Sequence, residues 1–152
     1  MELRSIFQSV IALHQEELPL SLKNRKQQLP INKDSIVTVT GIRRCGKSSL
    51  LALTINRLLL NGVRPEQILY IGFDDERFAS MQTSDFDEIL QAYREMYPTQ
   101  SLKDVYMFFD EIQLIEGWEL FVLRVFKNYC KHIYITGSTA KMLSGEIASA
   151  LR

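Results

Sequence analysis

The sequence predicts an α/β protein built on a parallel sheet. Three observations carry that prediction. Four short runs rich in β-branched and aromatic residues alternate with longer runs whose apolar residues recur at helical spacing. The run Val105-Tyr106-Met107-Phe108-Phe109 is apolar on both faces, which suits a strand covered by helices on each side. Between a strand-like and a helix-like segment, Gly41-Ile42-Arg43-Arg44-Cys45-Gly46-Lys47-Ser48 reads G-x-x-x-x-G-K-S.

Taken in order, residues 1–18 place Leu3, Ile6, Phe7, Val10, Ile11 and Leu13 at helical spacing, and Pro19 closes the run. Residues 19–34 hold Pro19, Pro30, Lys23, Arg25, Lys26 and Lys33 and predict a loop or short helix. Their basic cluster is a solvated face, or in the alternative a contact to a nucleotide base or a partner. Residues 1–34 thus form an N-terminal helix and lead-in, and residues 35–152 the core. The first strand is 36–40. A helix follows from 47 to about 60, stopped by Asn61-Gly62 with Pro65 beyond. Residues 67–73 give a second strand, closed by Asp74-Asp75-Glu76-Arg77. A helix opens at 83–86 and carries Phe86, Ile89, Leu90 and Tyr93 inward. The third strand is 105–109. The helix over 117–130 turns Trp118, Phe121, Val122, Val125, Phe126 and Tyr129 to the core. The fourth strand, 132–136, leads through Gly137-Ser138-Thr139 into a last helical segment, 140–152.

At 152 residues the chain is long enough for one domain with its own core. Eighteen basic and eighteen acidic side chains cancel, so no dominant surface for nucleic acid or an anionic membrane is suggested, although a local basic patch stays open. No uncharged apolar run reaches the roughly 18 residues of a membrane span. The start, Met1-Glu2-Leu3-Arg4, lacks a secretory pattern. Cys45 and Cys130 lie far apart and make no metal-type cluster; two free thiols fit a reducing, cytoplasmic setting.

Ligands of open parallel sheets bind outside the carboxyl ends of the strands. The glycine loop, Asp110-Glu111 and Ser138-Thr139 all fall there. Gly41 and Gly46 let backbone N–H groups approach phosphate oxygens, and the helix N-terminus adds its dipole. The expected nucleotide contacts are Gly41, Ile42, Arg43, Arg44, Cys45, Gly46, Lys47, Ser48 and Ser49. Lys47 supplies a point charge for the β- and γ-phosphates. Ser48 and Asp110 are hard oxygen ligands suited to Mg²⁺; alternatively Asp110 caps the next helix. Glu111 is placed as a general base for an attacking water, or is a surface glutamate at a helix start. Ser138 and Thr139 either touch the γ-phosphate and water or cap the last helix. Arg43 and Arg44 meet phosphates or project to solvent or a neighbour. Cys45 reads as a small loop filler, Trp118 as core. His14 and His132 have no ligand partners at useful spacing and receive no role.

Several segments together carry a more specific resemblance. They are the loop at 41–48, Phe73-Asp74-Asp75-Glu76-Arg77-Phe78, Phe109-Asp110-Glu111-Ile112-Gln113 with Gly117-Trp118, and Thr136-Gly137-Ser138 with Lys141-Met142-Leu143-Ser144. From about residue 30 to 152 the chain resembles the prokaryotic AAA-type ATPase domain that is usually followed by a C-terminal domain of unknown function. The resemblance implies a three-layer P-loop NTPase sandwich of the additional-strand catalytic-glutamate class, with strand 4 between strands 1 and 3. It implies Mg²⁺-dependent ATP hydrolysis with Glu111, Lys47 and Ser138 as catalytic residues. Two departures stand out. Gly72 takes the place where such domains often carry an asparagine that restrains the glutamate. The chain also stops at Arg152, short of a Leu-x-Gly-Arg-like ending, a fifth strand and a lid, so the expectation is of a truncated form lacking its C-terminal partner domain. Arg152, or an arginine beyond it, would reach a neighbour's phosphate in a homo-oligomer, and strand 1 would be an edge open to pairing. Two competing readings remain. One is a small-molecule or nucleoside kinase with Asp74-Asp75-Glu76 at its acceptor pocket. The other is a nucleotide-gated binding module or DNA-associated switch with little hydrolysis.

Overall fold

The computed structural model describes residues 2–21, 28–31, 34–41 and 46–138. Among them, four strands form one parallel sheet: β1 (Ser35–Thr40), β2 (Ile68–Gly72), β3 (Tyr106–Asp110) and β4 (His132–Gly137). Their order is β1-β4-β3-β2. The fourth strand in chain order is thus inserted between the first and third, as the resemblance implies. Four α-helices accompany them: α1 (Leu3–Glu16), α2 (Lys47–Leu60), α3 (Asp87–Met96) and α4 (Trp118–Asn128).

The two-residue period of a strand sorts the core into two layers. Ile36, Leu69, Ile71, Met107, Phe109, Ile133 and Ile135 face one side, where Phe7 and Ile11 of α1, Ile89 and Tyr93 of α3, and Phe121 and Val125 of α4 meet them. Ile68, Phe108 and Tyr134 face the other side and pack on Leu51, Ile55 and Leu58 of α2. The sheet is therefore sandwiched between helices, and the α/β three-layer class holds. A knot of phenylalanines fills the first layer: Phe86 stacks on Phe121 at 4.7 Å, and Phe73 sits 5.9–6.1 Å from Phe78, Phe86 and Phe109.

α1 closes the β2 edge of the sheet. Phe7 stacks on Phe78 at 4.8 Å. The Gln15 amide donates to the Ile68 carbonyl at 2.9 Å and accepts from the Tyr97 hydroxyl at 2.5 Å. Arg4 binds Glu88 and Glu95 of α3 at 2.8 and 2.7 Å. An edge strand so covered is withdrawn from pairing with another chain. The lead-in crosses the opposite layer. Asn56 of α2 holds both backbone groups of Leu20, the Arg57 guanidinium donates to the Leu29 carbonyl, and the Tyr134 hydroxyl donates to the Pro30 carbonyl.

Element ends differ from the sequence expectation by a residue or two, and sheet pairing explains why. β4 reaches Gly137 because Thr40 pairs with it, and β3 reaches Asp110 because Gly72 lies opposite. The helix expected from residue 83 starts as a 3₁₀ turn, Thr83–Asp85, before α3 begins at Asp87. The helix expected over 140–152 lies outside the described residues, as does Thr139.

Gly117 enters α4 with φ +83°, and a Cβ there would lie 2.3 Å from the Thr83 hydroxyl oxygen, which itself donates to the Glu116 carbonyl. Both strain and overlap oppose a side chain. Gly117→Ala is expected to lower unfolding free energy by about 2–3 kcal/mol in a urea titration. Gly62→Ala, at φ +94° with open space around it, is expected to cost only about 1 kcal/mol.

Candidate functional site

The carboxyl ends of β3 and β4, the edge strand β2 and the start of α2 meet at one point, the carboxylate of Asp110. This residue ends an apolar strand and is only 4% exposed. A buried carboxylate must be paired or fully hydrogen-bonded. Here three hydroxyls satisfy it. Ser48 Oγ donates to Oδ2 at 2.6 Å, Tyr70 donates to the same oxygen at 2.5 Å, and Thr136 donates to Oδ1 at 2.5 Å. The donors come from α2, β2 and β4. The strand period puts Tyr70, Asp110 and Thr136 on the α2 face, and Gly72 leaves the position opposite Asp110 without a side chain.

Glu111 follows at φ 54°, ψ 42°, a left-handed conformation that is uncommon for a residue with a side chain and is costly to hold. Its N–H donates to Thr136 Oγ1 at 2.9 Å, so one threonine hydroxyl serves both acids. The strained turn aims the Glu111 carboxylate back at the glycine loop. Its Oε2 lies 3.3 Å from Lys47 Nζ, and its Oε1 accepts from the Gln113 amide at 3.1 Å. Lys47 is 5% exposed and also donates to the Gly41 carbonyl at 2.8 Å. Gly41 at φ 149° and Gly46 at φ 93° take backbone angles that L side chains avoid, and Gly46 is the N-cap of α2.

A cleft of about 370 Å³ adjoins Ser48, lined by His14, Glu17, Ser49, Ala52 and Tyr70. On its wall the His14 imidazole lies flat on the Tyr70 ring, 4.4 Å between centroids and 11° from parallel. Burial, and then the neighbouring Asp110 charge, push the Tyr70 phenol far above its usual range. Burial pushes the His14 imidazole down to about 4.

Two oxygens of the kind that hold hard cations, Ser48 Oγ and Asp110 Oδ2, thus stand within hydrogen-bond distance of each other. Among the described residues no group of three or more His, Cys, Asp or Glu side chains could hold a metal by itself. That donor set fits an ion completing its shell with water and phosphate oxygens, the habit of Mg²⁺.

The AAA domain family matches residues 33–152. The chain belongs to that family. Similar proteins occur in both bacteria and archaea. One from Haemophilus influenzae is 38% identical over 134 residues, covering 87% of this chain and 33% of its own length. One from Methanocaldococcus jannaschii is 34% identical over 129 residues, covering 85% and 27%. Both are described as uncharacterized proteins. The chain spans about a third of the length of these curated relatives. No solved structure gives a significant match. AAA membership supports nucleotide binding and a P-loop NTPase character.

Of the residues expected to act, Gly41, Gly46, Lys47, Ser48, Asp110 and Glu111 meet at this edge. Ser49 is half-buried in the cleft wall. Ser138 directly follows β4, half-buried, with no side-chain hydrogen bond among the described residues. Ile42, Arg43, Arg44 and Cys45 lie outside the described residues. Sequence reasoning passed over Thr136, Tyr70, Gln113 and His14. The first was legible in principle. At the carboxyl end of a buried strand, on the face of His132 and Tyr134, Thr136 is the small hydroxyl that an apolar layer would otherwise exclude. Gln113 meets Glu111 only because the left-handed turn folds the side chain back two residues, while Tyr70 and His14 depend on which elements become neighbours. No helix among the described residues is long and apolar enough to cross a membrane. Cys130 is buried, with its thiol pushed up to about 12 by burial.

Thr136→Val keeps the shape but removes the donor to Asp110 and the acceptor for Glu111 N–H. The expected loss is about 2–3 kcal/mol of unfolding free energy, measured by chemical denaturation. His14 adds a pH dependence. The unfolded chain binds a proton near pH 6.5 and the folded chain only near 4, so the contribution is whole above 6.5 and lost as pH falls toward 4. Thermal melts between pH 7 and 4 should show roughly 2–3 kcal/mol of destabilisation that His14→Phe removes.

Proposed function

We propose that this domain binds ATP with Mg²⁺ and hydrolyses it, Glu111 activating the attacking water. The single observation that carries this reading is the pair of short contacts joining loop to strand: Ser48 to Asp110 at 2.6 Å and Lys47 to Glu111 at 3.3 Å. A phosphate-binding lysine, a metal-binding hydroxyl and two acids with distinct surroundings occupy one sheet edge.

Ser48 and Asp110 would hold Mg²⁺, which when bound would neutralise phosphate charge. Lys47, now shared between Gly41 and Glu111, would turn its ammonium to the β- and γ-phosphates. That exchange frees the Glu111 carboxylate. Glu111 then takes a proton from water as the oxygen attacks the γ-phosphorus, and the bond to the β–γ bridging oxygen breaks to leave ADP and phosphate. Thr136 keeps Glu111 and Asp110 at fixed separation throughout, and Gln113 steadies the far oxygen of Glu111. Ser138, at the end of β4, is the residue to sense the γ-phosphate.

The Lys47–Glu111 ion pair also favours a second reading, a nucleotide-gated switch in which exchange of the lysine is itself the signal and turnover is slow. Phosphate release without any added acceptor distinguishes hydrolysis from binding alone and from kinase activity.

Isothermal titration with ATP and Mg²⁺ should show binding that Lys47→Ala abolishes; absence of binding by the unmodified protein would sink the reading. Glu111→Gln should leave that binding nearly intact and slow phosphate release by about 10²–10⁴-fold. Asp110→Asn should weaken the Mg²⁺ dependence while nucleotide contact persists. An unshifted Mg²⁺ requirement would make Asp110 structural.

A further inference from the structure

We propose that Tyr70 is a positioning residue for the Asp110 carboxylate, and that α1 holds Tyr70 in that role through His14. This inference rests on the reading of Ser48 and Asp110 as the Mg²⁺ pair. It concerns residues that neither the glycine loop nor the acidic dipeptide includes.

A carboxylate on a short side chain can rotate, and a metal site needs it to present one oxygen in one direction. Thr136 fixes Oδ1, the oxygen turned to β4. Oδ2, the oxygen turned to Ser48, has two donors. One of them, Ser48, is itself the expected metal ligand and must reorganise when an ion arrives. Tyr70 is the donor that need not move. Its hydroxyl sits at the end of a rigid ring, so the ring's position sets the hydroxyl's position.

The ring is set from outside the sheet. Tyr70 belongs to the edge strand β2, and no further strand among the described residues buttresses it on that side. His14 supplies the support by stacking face to face at 4.4 Å. Among the described residues the imidazole Nδ1 has no hydrogen-bond partner, and packing is what holds that side of the ring. One residue on, Gln15 ties the same turn of α1 to the Ile68 carbonyl at 2.9 Å, two residues before Tyr70 on the strand. A chain of direct contacts therefore runs from α1 through His14 and Tyr70 to the metal-side oxygen of Asp110. Groups that orient the ligands of a metal contribute to its affinity without touching it, and their loss typically weakens binding about 10–100-fold.

The test is a Mg²⁺ titration of the protein with a fluorescent ATP analogue, paired with nucleotide affinity measured in EDTA. Tyr70→Phe keeps the ring and removes the hydroxyl. It should raise the apparent Mg²⁺ dissociation constant about tenfold and leave the EDTA affinity within about twofold. His14→Ala removes the ring that stacks on Tyr70 and leaves the Tyr70 hydroxyl in place. It should shift the Mg²⁺ constant in the same direction by about threefold, and His14→Phe, which retains the stack, should restore it. Unchanged Mg²⁺ constants in Tyr70→Phe and His14→Ala would overturn the inference while leaving the ATPase reading standing. An EDTA affinity that falls as far as the metal-dependent one would overturn it as well, since the effect would then be a general loosening of the site. Failure of the unmodified protein to show any Mg²⁺-dependent binding would overturn both.

Discussion

A carboxylate buried at 4% exposure dictates much of how this domain is assembled. Leaving Asp110 unpaired among apolar strands would cost several kcal/mol, enough to threaten a domain whose net stability is itself small. Its three hydroxyl donors come from three different elements, so the carboxylate is satisfied only when α2, β2 and β4 are all in register around β3. Folding correctness and site geometry are thus one condition. The bond from Glu111 N–H to Thr136 extends that condition to the second acid.

The strained turn at Glu111 belongs to the same economy. A left-handed residue with a side chain persists only where its surroundings over-determine it. Here the N–H is taken by Thr136 and the two carboxylate oxygens by Gln113 and Lys47. The turn places two adjacent acids in different environments, one sealed among hydroxyls and one beside an ammonium. Adjacent carboxylates with separate surroundings can divide the work of holding a cation and moving a proton. The helix α1, which precedes the family-matched residues 33–152 in the chain, is packed into this arrangement rather than appended to it. It fills the Phe7–Phe78 contact, caps the β2 edge and lies against Tyr70.

Much of this was legible in the residues alone. The alternation of short apolar runs and helical stripes determined an α/β parallel sheet, because periods of two and of about 3.6 cannot be exchanged. The apolar run ending in Asp110-Glu111 was legible as a central strand since both of its faces are oily. The glycine spacing read as a turn suited to phosphate, and Gly41 and Gly46 do take backbone angles that L side chains rarely adopt. The strand order followed from no spacing rule; it was implied by family resemblance and rests on parallel pairing of β4 with both β1 and β3.

The tertiary structure alone decided the support of the site. Tyr70 was one residue of the expected strand 67–73, with no role singled out, and His14 was a histidine without ligand partners at useful spacing. Their stack joins residues 56 positions apart, and the Tyr70–Asp110 bond joins residues 40 apart. Thr136 likewise becomes a link between two acids only when β4 is inserted beside β3, 26 residues from Asp110 along the chain. Periodicity and backbone angles are local properties, so the sequence determined the elements and the loop. Hydrogen bonding of a buried charge is satisfied by whichever donors the sheet brings close, so only the assembled fold could choose them.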